Sequence, residues 1–257
     1  MKITVLSENT SQAAEFTPEH GLSLYIETGD HKILFDMGQS DLFAYNAENL
    51  GIDLSRVDIA ILSHGHYDHG GGLRTFLQIN GHAPVYLHKD SFGAHYNGEE
   101  KFIGLDSNLR DHPRLVYTRG QTSLAQNLIL LDCNDQQWKC DNWGLMQKTD
   151  EGFLPDTFTH EQYLLITEGE KKVLFSGCSH KGILNIARHF QPNVLIGGFH
   201  LNKLEDEPAL LNIAQILLQC GGTYYTGHCT GQKQYLILKD QMHNRLEALS
   251  TGKTFTL

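Results

Sequence analysis

The 257-residue chain is 40% hydrophobic and 19% charged, with a formal net charge of −10. This profile excludes an intrinsically disordered chain, and the acidic balance excludes a general nucleic-acid binder, whose surface must neutralise phosphates. No apolar run approaches the roughly 18 residues needed to span a bilayer. The opening Met1–Asn9 lacks the apolar centre and cleavage site of a signal peptide, so a cytoplasmic chain without a membrane partner is expected. The five cysteines, Cys133, Cys140, Cys178, Cys220 and Cys229, are odd in number and form no C-x-x-C pair, which argues against a disulfide framework or a structural zinc ribbon.

The predicted elements begin with strands at Lys2–Leu6, Leu22–Glu27 and Lys32–Phe35, the last two joined by a turn at Gly29-Asp30. A helix over Asp41–Leu50 stops at Gly51, and an apolar run, Val57–Leu62, reads as a buried strand. A short helix at Leu73–Gln78 and a strand at Pro84–His88 follow. The segment from Lys89 to Pro155 is irregular and holds both tryptophans; it reads equally as a substrate-facing insertion (89–155) or as ordinary connecting strands and loops. Regular patterning returns with a hairpin of Tyr163–Thr167 and Lys172–Ser176. After it come a helix (Ile183–Phe190), a strand (Val194–Gly197), a broad apolar helix (Pro208–Gln219) ended by Gly221, a strand (Thr223–Thr226) and a last helix over Tyr235–Leu249. With no repeat and no flexible linker, a single domain spanning 1–257 is expected. The strands come first and then alternate with helices, as in an α+β fold of two packed sheets covered by outer helices.

Chemistry concentrates behind the strand at Val57–Leu62. Ser63-His64-Gly65-His66-Tyr67-Asp68-His69 places three imidazoles and a carboxylate within six positions, the donors that zinc and its neighbours take. Gly65, Gly70, Gly71 and Gly72 are expected to supply the backbone bends that aim these side chains at one point. Four ligands are too few for a two-metal hydrolytic site, so others are sought at later strand ends. Gly177-Cys178-Ser179-His180 and Gly227-His228-Cys229 each follow an apolar strand and offer thiolate or imidazole; in the second, alternation makes Cys229 a packed residue. Gly197-Gly198-Phe199-His200 is a third such end, its His200 lining the site as proton donor, pocket wall or ligand. His160, just before a predicted strand, is either a ligand or a surface residue. His20, His31, His82, His88, His95, His112, His189 and His243 lack such a context and are expected at the surface.

Together these residues resemble the metallo-β-lactamase superfamily: His64-x-His66-x-Asp68-His69 with Gly-Gly after it, and Ile33-Leu34-Phe35-Asp36-Met37-Gly38, whose Asp braces the metal loop in that family. The stretches around Glu19–Ser23, Ser176–Ile183, Gly197–Leu201 and Thr226–Gly231 are similar to the branch containing the dihydropterin-6-methyl ribofuranosylaminobenzene phosphate synthases. The resemblance implies a four-layer αβ/βα sandwich of two mixed sheets with a two-metal site. Two departures stand out. Cys178 occupies the place of the usual Asp, which alters the metal bridge or passes ligation to His180. His160, the best match to the separate site-one His, lacks its usual flanking residues. Relatives with flavodiiron chemistry place Glu where His66 stands, so His66 favours zinc and hydrolysis, with manganese and iron left open.

The expected function is a metal-dependent hydrolase of a small anionic phosphoester, lactone or similar substrate. It would use two zinc ions held by His64, His66, Asp68, His69, Cys178, His180 and His228, with Asp68 and His200 in catalytic roles. The alternatives are a transferase acting on a pterin-type diphosphate and a metal or redox sensor without turnover.

Overall fold

Thr28 shows how local chemistry sets the first strands: its hydroxyl accepts the backbone N–H groups of Asp30 and His31, at 3.3 and 2.9 Å, and closes the predicted turn. The computed structural model describes residues 1–257. In chain order the elements are β1 (Lys2–Ser7), β2 (Ser23–Glu27), β3 (Lys32–Phe35), α1 (Leu42–Asn49), β4 (Ile59–Ile61), α2 (Tyr67–Gly70), α3 (Leu73–Ile79), β5 (Val85–His88), β6 (His95–Asn97), β7 (Lys101–Phe102) and β8 (Leu115–Thr118). Then follow β9 (Gln121–Ala125), β10 (Leu128–Leu131), β11 (Leu145–Thr149), β12 (Gly152–Pro155), β13 (Tyr163–Glu168), β14 (Lys171–Ser176) and α4 (Ile183–Phe190). The last are β15 (Val194–Gly197), α5 (Glu207–Cys220), β16 (Thr223–Thr226), α6 (Gln232–Met242), β17 (Leu246–Ala248) and β18 (Thr254–Thr256). No helix is long and apolar enough to cross a membrane.

Two compact units divide the chain. The first comprises Met1–Arg119, Gly144–Asp156 and Ser250–Leu257; the second comprises Gly120–Trp143 and Thr157–Leu249. The first unit holds a seven-stranded sheet of order β18-β1-β2-β3-β4-β5-β8, antiparallel from β18 to β3 and parallel from β3 to β8. Its parallel centre is buried on both faces, so Ile59, Ala60 and Ile61 form an unbroken apolar run rather than an alternation. Phe43 and Ala47 of α1 and Leu73 and Phe76 of α3 fill the core beside it, each large side chain contributing about 1.5–3 kcal/mol. A smaller antiparallel sheet, β12-β11-β6-β7, belongs to the same unit.

The second unit repeats the plan. Its sheet, β17-β16-β15-β14-β13-β10-β9, is parallel from β17 to β14 and antiparallel from β14 to β9. Ile183, Ile186, Leu210, Ala214, Leu217 and Leu238, from α4, α5 and α6, pack its core. α5 begins with Pro208 in its first turn and stops at Gly221, left-handed with φ +81°, as its sequence predicts.

Two expectations change. The final predicted helix ends early: α6 stops at Met242, His243 takes φ +48°, and Leu246–Ala248 becomes β17, parallel to β16. Leu246 and Leu249 keep an apolar spacing that suits a helix, but a free sheet edge at β16 outweighs that local signal. The strand leading into the ligand motif shortens from Val57–Leu62 to Ile59–Ile61. The irregular middle segment contains seven strands, β6 to β12, spread over all three sheets; their short runs, broken by Asn, Asp and Gly, carry little periodicity.

Candidate metal centre

Parallel strands present their carboxyl ends together, where ligand sites of open sheets arise. In the first unit β3 delivers Asp36 and β4 delivers Ser63-His64. Asp36 is fully buried, with φ +60°, a left-handed conformation that Asp tolerates better than most residues. Its Oδ1 accepts the Ser63 N–H at 2.7 Å, and its Oδ2 takes both the Ser63 hydroxyl and His69 Nδ1, each at 2.7 Å. A carboxylate only accepts, so the Ser63 proton points to Asp36 and His69 carries its proton on Nδ1. Ser63 Oγ then accepts from His64 Nδ1 at 2.8 Å. Both imidazoles are thereby fixed in the tautomer whose Nε2 bears the lone pair, the form in which histidine binds metal.

The buried rings of His64, His66 and His69 converge: His64 lies 4.6 Å from His66 and 4.2 Å from His69, centroid to centroid. Asp68 sits in α2, its Oδ2 4.0 Å from His69 Nε2 and 3.3 Å from His20 Nε2. The loop is pinned by Tyr67 N–H to the Ile103 carbonyl (2.8 Å) and Met37 N–H to the His69 carbonyl (2.7 Å).

The glycines act differently from the expectation. Gly71 and Gly72 have φ of −62° and −76°, open to any residue. What excludes a side chain is proximity. A Cβ would stand 2.0 Å from the Ser91 carbonyl oxygen at Gly65, 2.2 Å from that of Gln39 at Gly71 and 2.2 Å from that of Met37 at Gly72; at Gly70 it would meet the Leu105 side chain at 2.5 Å.

In the second unit β14, β15 and β16 end at Cys178-Ser179-His180, Phe199-His200 and His228-Cys229. Glu161, fully buried, braces the first of these turns: its carboxylate accepts His180 N–H (2.7 Å), Lys181 N–H (3.0 Å) and the Tyr163 hydroxyl (2.6 Å). Burial pushes the Glu161 carboxyl above its ordinary range against the lowering pull of Lys181 and these hydrogen bonds. Lys181 is itself buried, its ammonium held by the Asp132 carbonyl and by Asn134 Oδ1, with desolvation lowering its pKa. The His180 ring stacks on Phe158 (4.5 Å, 11°) and meets His200 at 4.2 Å.

Ser179, His200 and His228 all adopt positive φ (+58°, +51° and +50°), costly for side-chain-bearing residues and concentrated at these turns. Cys178, His200 and Cys229 offer donor atoms within 4.8 Å of one another. Cys229 is buried as expected, its Sγ 3.6 Å from the Cys178 carbonyl oxygen. Burial raises its pKa, yet interactions with Cys178, His200 and His228 outweigh that and hold the thiol well below its usual range.

His64, His66, Asp68 and His69 thus gather in the first unit, and Cys178, His180, His200 and His228 lie on the strand-end turns of the second. Imidazole, carboxylate and thiolate donors with preset tautomers fit a borderline divalent metal such as zinc. His160 is buried, not at the surface. Two further corrections concern His88, 1% exposed, and His95, fully buried with its Nδ1 2.8 Å from Asp156 Oδ2. Sequence reasoning missed Glu161, Lys181 and the His95–Asp156 pair. Glu161 carried one signal, its place beside His160 just before a strand; His95, in the irregular segment, carried none.

A family model described as the metallo-beta-lactamase superfamily matches residues 16–216. The chain is 27% identical to the 7,8-dihydropterin-6-methyl-4-(beta-D-ribofuranosyl)-aminobenzene-5'-phosphate synthase of Methanocaldococcus jannaschii, over 98% of this chain and 95% of that protein. It is 28% identical to an uncharacterized protein of the same organism, over 90% of this chain and 91% of the relative. Among solved structures it matches Tm1679, described as a metal-dependent hydrolase of the beta-lactamase superfamily, with a TM-score of 0.86, 31% identity and coverage of 100% and 99%.

Proposed function

The chain belongs to the metallo-β-lactamase superfamily and has its fold, and from that premise we propose that it is a metal-dependent hydrolase of a small anionic phosphoester, lactone or related ester. The observation that carries this reading is the Asp36–Ser63–His64/His69 network, which spends a buried carboxylate on setting two imidazole tautomers for ligation. In this reading His64 and His66, with one further imidazole, would hold one zinc ion. Asp68, His69 and a donor from Cys178 or His180 would hold a second, and His228 would ligate one of the two. When bound, such ions supply a nucleophile at neutral pH by acidifying water, and positive charge for a developing oxyanion. Asp68 orients the attacking water and takes its proton on a carboxylate oxygen. His200, beside His180, delivers a proton from a ring nitrogen to the leaving group.

The test is a panel of phosphomonoesters, phosphodiesters, lactones and thioesters offered to zinc-loaded protein. Turnover that a chelator abolishes and zinc restores is expected, with Asp68→Ala and His200→Ala each lowering kcat by about 10²- to 10⁴-fold. A fully metal-loaded protein with no turnover on any class would overturn the hydrolase reading and favour a metal or redox sensor. A second reading, group transfer on a pterin-type diphosphate, is favoured by the relative named as a synthase, which aligns along 98% of this chain. Its signature is a coupled product in place of free phosphate when a pterin diphosphate and an aromatic acceptor are supplied together.

A further inference from the structure

We propose that His95 is an additional metal ligand beside His66, oriented for that role by Asp156. This rests on the reading of the His64–His69 motif as a metal centre and extends it to a segment that nothing in the sequence marked. His95 opens β6 of the small antiparallel sheet and is fully buried. Its ring faces His66 edge-on, with centroids 5.6 Å apart. His66, His95 and Asp156 offer donor atoms within 4.8 Å of one another.

The decisive detail is the Asp156 contact. His95 Nδ1 lies 2.8 Å from Asp156 Oδ2, both side chains being 1% exposed. Elsewhere in the same unit one pair has this geometry, His69 and Asp36: Nδ1 to Oδ2 at 2.7 Å with both side chains at 0% exposure. The consequence is the same. The carboxylate accepts a hydrogen bond from Nδ1–H, so the lone pair of His95 sits on Nε2, where a metal would bind. Asp156 is held in turn, its N–H donating at 3.0 Å to the carbonyl of Leu145, the first residue of β11, the strand next to β6. The small sheet therefore carries the imidazole, and the residue that directly follows its strand β12 carries the carboxylate that orients it.

A structural pair alone would also bury His95, so the test reads metal rather than activity. Metal-free protein is titrated with Zn²⁺ against a chromophoric chelator, and with Co²⁺ by its visible absorption. His95→Asn keeps an amide N–H for Asp156 and removes the Nε2 donor. It is expected to weaken one zinc equivalent by at least tenfold and to change the Co²⁺ spectrum, while circular dichroism of the metal-free protein is unchanged. Asp156→Asn is expected to weaken the same equivalent by about 10- to 100-fold. His82→Ala, an exposed histidine of the same unit, is the control and leaves both titrations unaltered. If His95→Asn binds zinc with wild-type stoichiometry and affinity while His64→Ala has lost an equivalent, the His95 assignment is wrong and the motif reading stands. If His64→Ala also binds as wild type, the metal-centre reading fails first and takes this inference with it.

Discussion

Asp36 shows how much one residue decides here. Replacing a carboxylate oxygen with an amide puts an N–H donor where Ser63 and His69 both donate. His69 must then move its proton to Nε2, which removes the lone pair needed for ligation. Asp36→Asn is expected to weaken zinc binding by about 10- to 100-fold and to destabilise the metal-free protein by about 1–3 kcal/mol, read by chelator competition and by urea unfolding. Unchanged affinity would show that the network is only structural. Glu161 has the matching position in the second unit, bracing a turn through backbone N–H groups rather than through an imidazole. The motif residues were legible because ligand types crowded six positions. Their braces were less so: Asp36 was found only through a family resemblance, and Glu161 and Asp156 not at all, because a bracing carboxylate looks like any other in sequence.

Among the elements, the ligand loop after β4 depends on close packing rather than on unusual dihedrals. Gly71 has ordinary helical φ, but a Cβ there would meet the Gln39 carbonyl at 2.2 Å and the Tyr67 carbonyl at 2.6 Å. Backbone atoms cannot rotate away as a side chain would, so Gly71→Ala is expected to cost about 1–3 kcal/mol in urea unfolding and to lower zinc affinity by displacing α2. A neutral substitution would mean that the loop is softer than its contacts indicate. Helix α5 lies at the opposite pole of legibility. Its apolar face, its Pro208 start and its Gly221 stop were all readable, since each is a local property of the chain. The stretch Tyr235–Leu249 was misread because β17 exists only by pairing with β16.

At the level of the whole chain, each unit carries a sheet with parallel strands at one end of the order and antiparallel strands at the other, and its candidate ligands at the carboxyl ends of the parallel strands. A metal that binds the folded chain and not the unfolded one stabilises it by mass action. Zinc at about a thousand times its dissociation constant adds about 4 kcal/mol, or roughly 10 °C in melting temperature for a chain of this size. Melting with zinc and with a chelator is expected to show that separation, and coincident curves would argue against a bound metal.

The sequence by itself determined the family, most of the strands and helices and the principal cluster of candidate ligands, because each rests on local patterning: apolar periodicity, turn chemistry and donors packed into a short span. Only the tertiary structure decided that the middle segment is strand-rich, that β17 completes a sheet, that the motif glycines answer to the close approach of neighbouring atoms, and that His95 is buried against Asp156. Those features depend on partners far apart in the chain. Asp156 stands 61 positions from His95, and no periodicity along one stretch of sequence records what another stretch will bring beside it.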